Sequence, residues 1–157
     1  MISAYFAYGS NMNPERMLQR GLRFVCAQAA ELPGHALVFD KRVAHRGGAG
    51  HANIRYQVGA TVHGVLYRLA EPELILVMDP YEQAPINYGR EIFQLVTQVA
   101  TVRRETPAWV YVGNPGVLQD GLRPEPEYMA HLLAGAAYLP ADYLARLRNI
   151  ECLPPTR

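Results

Sequence analysis

Hydrophobic and polar residues alternate over Ile2 to Tyr8, with Ile2, Ala4, Phe6 and Tyr8 on one face and Ser3, Tyr5 and Ala7 on the other. A period of two predicts a β-strand. The strand runs into Gly9-Ser10-Asn11, a turn cluster. Asn13-Pro14-Glu15 then starts a helix, with Asn13 as the cap and Pro14 at the first helical position. Gly21 follows about two turns later, so the helix is short. Strand, glycine turn and short helix open the chain.

Further strands are expected over His35 to Asp40, Ala52 to Tyr56 and Val58 to Leu69, the last rich in Val, Thr and Tyr. Arg46-Gly47-Gly48-Ala49-Gly50 separates the first two and is too glycine-rich for regular structure. Pro72 opens an apolar stretch, Leu74 to Met78, that reads as a helix ended by Asp79-Pro80. After a loop over Tyr81 to Gly89, a long strand is expected over Glu91 to Val102, and another over Ala108 to Val112. Tyr128, Met129, Leu132, Leu133 and Ala136 then follow helical spacing, and Pro140 begins a last helix through Ile150. Strands fill the middle without alternating with helices, which disfavours a doubly wound parallel sheet. The pattern points to an α+β domain on a small mixed sheet, curled or closed to protect its edges. It is expected to be one domain over residues 1–151, with 152–157 as a tail.

Composition narrows the function. Fifteen Lys and Arg face fourteen Asp and Glu, so nothing in the net charge of +1 favours nucleic acid or an anionic membrane. No apolar run reaches the ~18 residues of a membrane span, and Met1-Ile2-Ser3-Ala4-Tyr5 carries no basic signal region. Two cysteines, Cys26 and Cys152, make neither a disulfide framework nor a zinc set. The expectation is a cytoplasmic protein.

Two segments carry chemistry. The strand-to-helix turn at Tyr8-Gly9-Ser10-Asn11 leaves backbone N–H groups free to cradle a carboxylate, a phosphate or an oxyanion. An ordinary turn has the same spacing, so position alone assigns no function. In Asp79-Pro80-Tyr81-Glu82-Gln83, Glu82 follows a helix C-terminus. The negative end of the helix and partial desolvation are both expected to raise its pKa, as a proton shuttle requires. A solvated loop glutamate would read the same way. The histidines at 35, 45, 51, 63 and 131 form no metal-ligand spacing. His45 and His51 flank the glycine-rich loop and suit a surface or lid role.

The motifs together resemble the γ-glutamylcyclotransferase-like family. Tyr5-Phe6-Ala7-Tyr8-Gly9-Ser10-Asn11-Met12 is similar to its N-terminal signature, and Gly50-His51-Ala52-Asn53-Ile54 to its next segment. Val62 to Tyr67 resembles its central strand, and Met78-Asp79-Pro80-Tyr81-Glu82 the stretch with its catalytic glutamate. Tyr111, Pro126-Glu127-Tyr128 and Gly135 to Tyr143 are similar to its later elements. Tyr-Gly-Ser-Asn resembles the branch acting on γ-glutamyl amino acids, whereas the γ-glutamylamine branch more often has Tyr-Gly-Thr-Leu and the glutathione-specific branch Tyr-Gly-Ser-Leu. The chain departs from the family in carrying Gln83 where glycine often follows the glutamate.

The resemblance implies a small mixed, closed β-barrel flanked by short helices and a pocket at one end. It implies ring closure of a γ-glutamyl amino acid or amide to 5-oxoproline, without metal or organic cofactor. Glu82 would be the general acid and base. Tyr8 and the amides of Gly9, Ser10 and Asn11 would bind substrate, and Tyr88, Tyr111 and Tyr128 would orient it. The alternatives are a γ-glutamylamine or other γ-glutamylated metabolite as substrate, or a non-catalytic ligand-binding domain of the same fold. The expected partner is a small γ-glutamyl substrate rather than nucleic acid or membrane, and the apolar C-terminal helices offer a surface for a homodimer.

Overall fold

The structure, a computed structural model, describes residues 1–156; Arg157, at the end of the expected tail, lies outside them. Five strands are present: β1 Ala4–Ala7, β2 Phe24–Arg42, β3 Gly50–Leu69, β4 Tyr88–Val99 and β5 Val102–Gly113. They join in the order β1-β3-β2-β4-β5 and close into a barrel. Pairing is antiparallel except where β5 meets β1 at Tyr5 and Trp109. The helices are α1 Pro14–Gln19, α2 Ile75–Met78, α3 Pro126–Leu133 and α4 Ala141–Arg148. The mixed α+β architecture expected from the strand and helix pattern is present, and the chain's last described residues run back along it, with the Leu153 amide donating to the Pro124 carbonyl at 2.9 Å.

Both faces of β1 are buried. Phe6, Leu32, Leu66, Leu95 and Val110, one from each strand, meet in one cluster inside the barrel. Tyr5 and Ala7 point the other way, into a second cluster with Met17, Ile75, Met78, Met129, Leu132 and Leu147 from the helices. The helices therefore cover one outer face of the sheet and hold the end of β1 between two apolar layers.

The structure departs from the expected elements in three places. The segment Phe24 to Pro33 is strand, forming the first part of β2, although Cys-Ala-Gln-Ala-Ala-Glu has little β-propensity. Pairing with β3, such as Ala30 with Gly64 and Leu32 with Val62, imposes the extended form. The two strands expected over Ala52 to Leu69 are one continuous strand, β3. The long strand expected over Glu91 to Val102 reverses at Ala100 and Thr101, with Val99 paired to Val102. Ala100 takes a positive φ of 56° there, a position where glycine or asparagine would have signalled the turn.

The α1 cap forms as expected: the Asn13 side chain accepts from the Glu15 amide at 3.1 Å, and Pro14 is the first helical residue. α1 ends at Arg20, followed by Gly21 at a φ of 79°.

Candidate active site

The end of β1, the end of β2, the start of β3, the start of β4 and the end of β5 open at the same end of the barrel, and α3 closes over it. A cavity of about 140 Å³ lies there. Its wall contains all eight residues singled out from the sequence: Tyr8, Gly9, Ser10, Asn11, Glu82, Tyr88, Tyr111 and Tyr128. The turn after α2 supplies Glu82, whose amide donates to the Met78 carbonyl at 3.2 Å.

Past β1 the chain turns at Gly9 into a short 3-10 helix, Ser10–Met12. The Met12 amide donates to the Gly9 carbonyl and the Asn13 amide to that of Ser10. The amides of Gly9, Ser10 and Asn11 come before these bonds and have no carbonyl partner among the described residues. A Cβ on Gly9 would stand 3.0 Å from the Tyr128 hydroxyl and 3.2 Å from the Ala52 methyl. A side chain there would crowd both neighbours.

Asn11 is the hub of the site and is only 3% exposed. Its side-chain amide nitrogen donates to Glu82 Oε1 at 3.0 Å and to the Tyr5 hydroxyl at 3.0 Å. Its side-chain oxygen accepts from Arg20 at 3.0 Å, and its backbone carbonyl accepts from the Tyr67 hydroxyl at 2.7 Å. The amide is thus oriented by a donor on one side and acceptors on the other.

Burial raises the pKa of Glu82; Arg20, the hydrogen bond from Asn11, Lys41 and Arg16 oppose the rise. The cause differs from the expected one in part. α2 is a single turn of four residues, too short for a macrodipole to matter, and desolvation does the raising.

The tyrosines divide by what their hydroxyls do. Tyr8 donates to the Tyr111 carbonyl at 2.5 Å, and Tyr88 to the Ala52 carbonyl at 2.8 Å. Tyr111 donates to Asp79 Oδ1 at 2.6 Å, and Asp79 is paired with Arg90 at 3.1 Å. Tyr128 instead accepts, from the Ala52 amide at 2.9 Å. Its own O–H proton is therefore uncommitted.

Several lining residues were not singled out from the sequence. Arg16 on α1 and Arg20 at its C-cap, four residues apart, both line the cavity, and the Arg20 guanidinium lies 4.7 Å above the Tyr81 ring. Their spacing just after the glycine turn was the available signal. Lys41 also lines the wall, and nothing in its local sequence marks it.

His51 departs from the expected lid role. It stands on β3 in the cavity wall, stacked on Tyr128 with centroids 4.2 Å apart and planes 6° apart. Burial, with Lys41 and Arg16 nearby, lowers its pKa to about 4. His45 is exposed. Among the described residues no group of three His, Cys, Asp or Glu side chains is placed to hold a metal ion, and no helix is long and apolar enough to cross a membrane.

Residues 5–131 match the model of the family described as "Gamma-glutamyl cyclotransferase, AIG2-like". Comparison with curated proteins gives no match. A solved structure named "Gamma-glutamyl cyclotransferase" superposes with a TM-score of 0.81 at 25% identity, over 98% of this chain and 90% of that one. A Homo sapiens protein titled as uncharacterized protein loc79017 superposes with a TM-score of 0.82 at 26% identity, over the same shares, 98% and 90%. The fold is also that of a yeast γ-glutamyl cyclotransferase specific to glutathione, with a TM-score of 0.66 at 14% identity, over 92% of this chain and 93% of that one.

Proposed function

Because the chain belongs to the gamma-glutamyl cyclotransferase, AIG2-like family, we propose that it converts a γ-glutamyl amino acid or amide to 5-oxoproline and a free amine, with Glu82 as general acid and base. The observation that carries this reading is the contact of Asn11 with Glu82 at 3.0 Å, in one small cavity with the amides of Gly9, Ser10 and Asn11, which have no carbonyl partner among the described residues.

The substrate's α-amine attacks its own γ-carbonyl carbon, forming the ring C–N bond as the old amide C–N bond breaks. No enzyme nucleophile is required, and the protein's first task is to hold the folded, reactive conformer. Glu82 accepts a proton from the attacking nitrogen and returns one to the departing nitrogen. A carboxylate with a raised pKa suits both transfers, and an α-ammonium of pKa ~7.7–8.0 gives up its proton at modest cost near neutrality. The loop amides bind the substrate carboxylate or the tetrahedral oxygen. The uncommitted proton of Tyr128 serves as one more donor to the substrate.

The test is 5-oxoproline release from γ-glutamyl amino acids, γ-glutamylamines and glutathione, with wild type beside Glu82→Gln. Release by wild type, reduced about 10²–10⁴-fold in the variant, is the expected result. Wild-type rates in the variant would remove Glu82 from the mechanism. Saturable binding of 5-oxoproline without any turnover would make the domain a binding module.

A further inference from the structure

One buried charge has no part in the reaction as proposed. Lys41 is only 8% exposed, yet its ammonium joins none of the ion pairs and hydrogen-bonds to no group among the described residues. The Tyr88 ring is 5.8 Å away and offers its face. A lysine this buried is almost always paired. Burial lowers its pKa, with Glu82 opposing from across the cavity.

A β-bulge aims it. Val38 pairs with Asn53 and Lys41 with His51, so three steps along β2 span two along β3. The extra residue changes which face the following side chain takes, and Lys41 joins the cavity wall beside His51.

Lys41 also stands between two cavities. The inner one holds Glu82 and the Gly9 loop. An outer one of about 480 Å³ shares Lys41, His51 and Gln83 with it. The rest of the outer wall includes Arg42, His45 and Asn87, and among the described residues it contains no carboxylate side chain. With the glutamyl half inside against Glu82, the departing half leads past Lys41 into this outer space.

We propose that Lys41 receives the carboxylate of the departing amino acid, making γ-glutamyl α-amino acids the substrate class and Lys41 its specificity-determining residue. The inference rests on the cyclotransferase reading above. A γ-glutamyl amino acid brings an anion to the unpaired ammonium. A simple γ-glutamylamine brings no charge there, and a γ-glutamylated polyamine sets a cation against Lys41 and Arg42.

The test compares γ-glutamyl-L-alanine with γ-glutamylethylamide, which differ only in that carboxylate. Wild type is expected to favour the alanine compound in kcat/KM by about 10- to 100-fold, the range of a hydrogen bond to a charged group. Lys41→Met should bring the ratio close to one, mainly through KM, and Lys41→Arg should keep most of it. Equal wild-type use of both compounds, or an unchanged ratio in Lys41→Met, overturns the proposal. If Lys41→Met does not fold, Lys41→Gln takes its place. If wild type releases 5-oxoproline from neither compound nor from any other γ-glutamyl amino acid, γ-glutamylamine or glutathione, the cyclotransferase reading falls. Calorimetric binding then decides the role of Lys41: tighter, Lys41-dependent binding of the alanine compound upholds it, and equal or absent binding overturns it.

Discussion

The Asn11 side chain donates to Glu82 at 3.0 Å while accepting from Arg20 at 3.0 Å, so one buried amide links the Glu82 carboxylate to a guanidinium. The bond from Asn11 stabilises the ionised form of Glu82 and holds its pKa down against burial. Asn11→Ala removes it. The acid limb of the pH–rate profile should then move to higher pH, and kcat/KM should fall about 10- to 100-fold. An unmoved acid limb would separate Asn11 from the proton transfer.

Glu82 carries a stability cost that its replacement should reveal. Its folded pKa lies above the unfolded value near 4.5, so the unfolded chain releases this proton more readily. Stability from this group is therefore present below the unfolded pKa and is lost as pH rises through the folded one. Glu82→Gln should raise Tm at neutral pH, by about 2–4 °C for each kcal/mol regained, and the gain should shrink towards pH 4. Thermal melts of both proteins across that range check the sign.

Tyr128 and Tyr88 offer a paired comparison. Tyr128→Phe removes the hydroxyl whose proton is free for substrate and leaves the buried Ala52 amide unpaired, and should lower kcat/KM about 10- to 100-fold and cost about 1–3 kcal/mol in stability. Tyr88→Phe leaves the Ala52 carbonyl unpaired, and should cost about 1–3 kcal/mol in stability. Steady-state kinetics distinguish the two roles, and denaturant melts measure what each hydroxyl contributes to stability. Equal kinetic losses would mean that both tyrosines act through packing.

Gln83 has a φ of 51°, a left-handed conformation that glycine adopts freely and a side chain does not. This gives a physical reason for glycine at the corresponding family position. Gln83→Gly relieves strain of about 1–2 kcal/mol, partly offset by the greater unfolded-state entropy of glycine. The expected result is unchanged or higher stability, whereas Gln83→Val should destabilise the fold. Urea midpoints measure both.

His51 should stay neutral through the physiological range, because its pKa lies near 4. A depressed histidine pKa favours folding above the unfolded value of ~6.5 and loses that contribution as pH falls towards 4. NMR titration of the imidazole should show no midpoint between pH 5 and 7. A midpoint near 6.5 would mean that the stack on Tyr128 opens in solution.

The N-terminal half of the site was readable because it is local. Alternation ended by Gly9-Ser10-Asn11 and followed by Asn13-Pro14 specifies a strand, a tight turn and a capped helix within one short stretch. Glu82 and the tyrosines at 88, 111 and 128 were reached through resemblance rather than pattern. A single glutamate in a loop or tyrosine in a strand has no local mark of its surroundings.

Long-range pairing decided the rest. The first half of β2 becomes strand only because β3 lies beside it, and Ala100 turns only because β4 and β5 pair up to Val99 and Val102. Lys41 enters the site through a bulge defined by its register with His51. Glu82 gains its raised pKa from burial among side chains far away in sequence, with Asn11, Arg20 and Lys41 opposing it. Propensity and turn chemistry act over a few residues and are written in the chain, whereas desolvation and charge proximity depend on which distant segments meet.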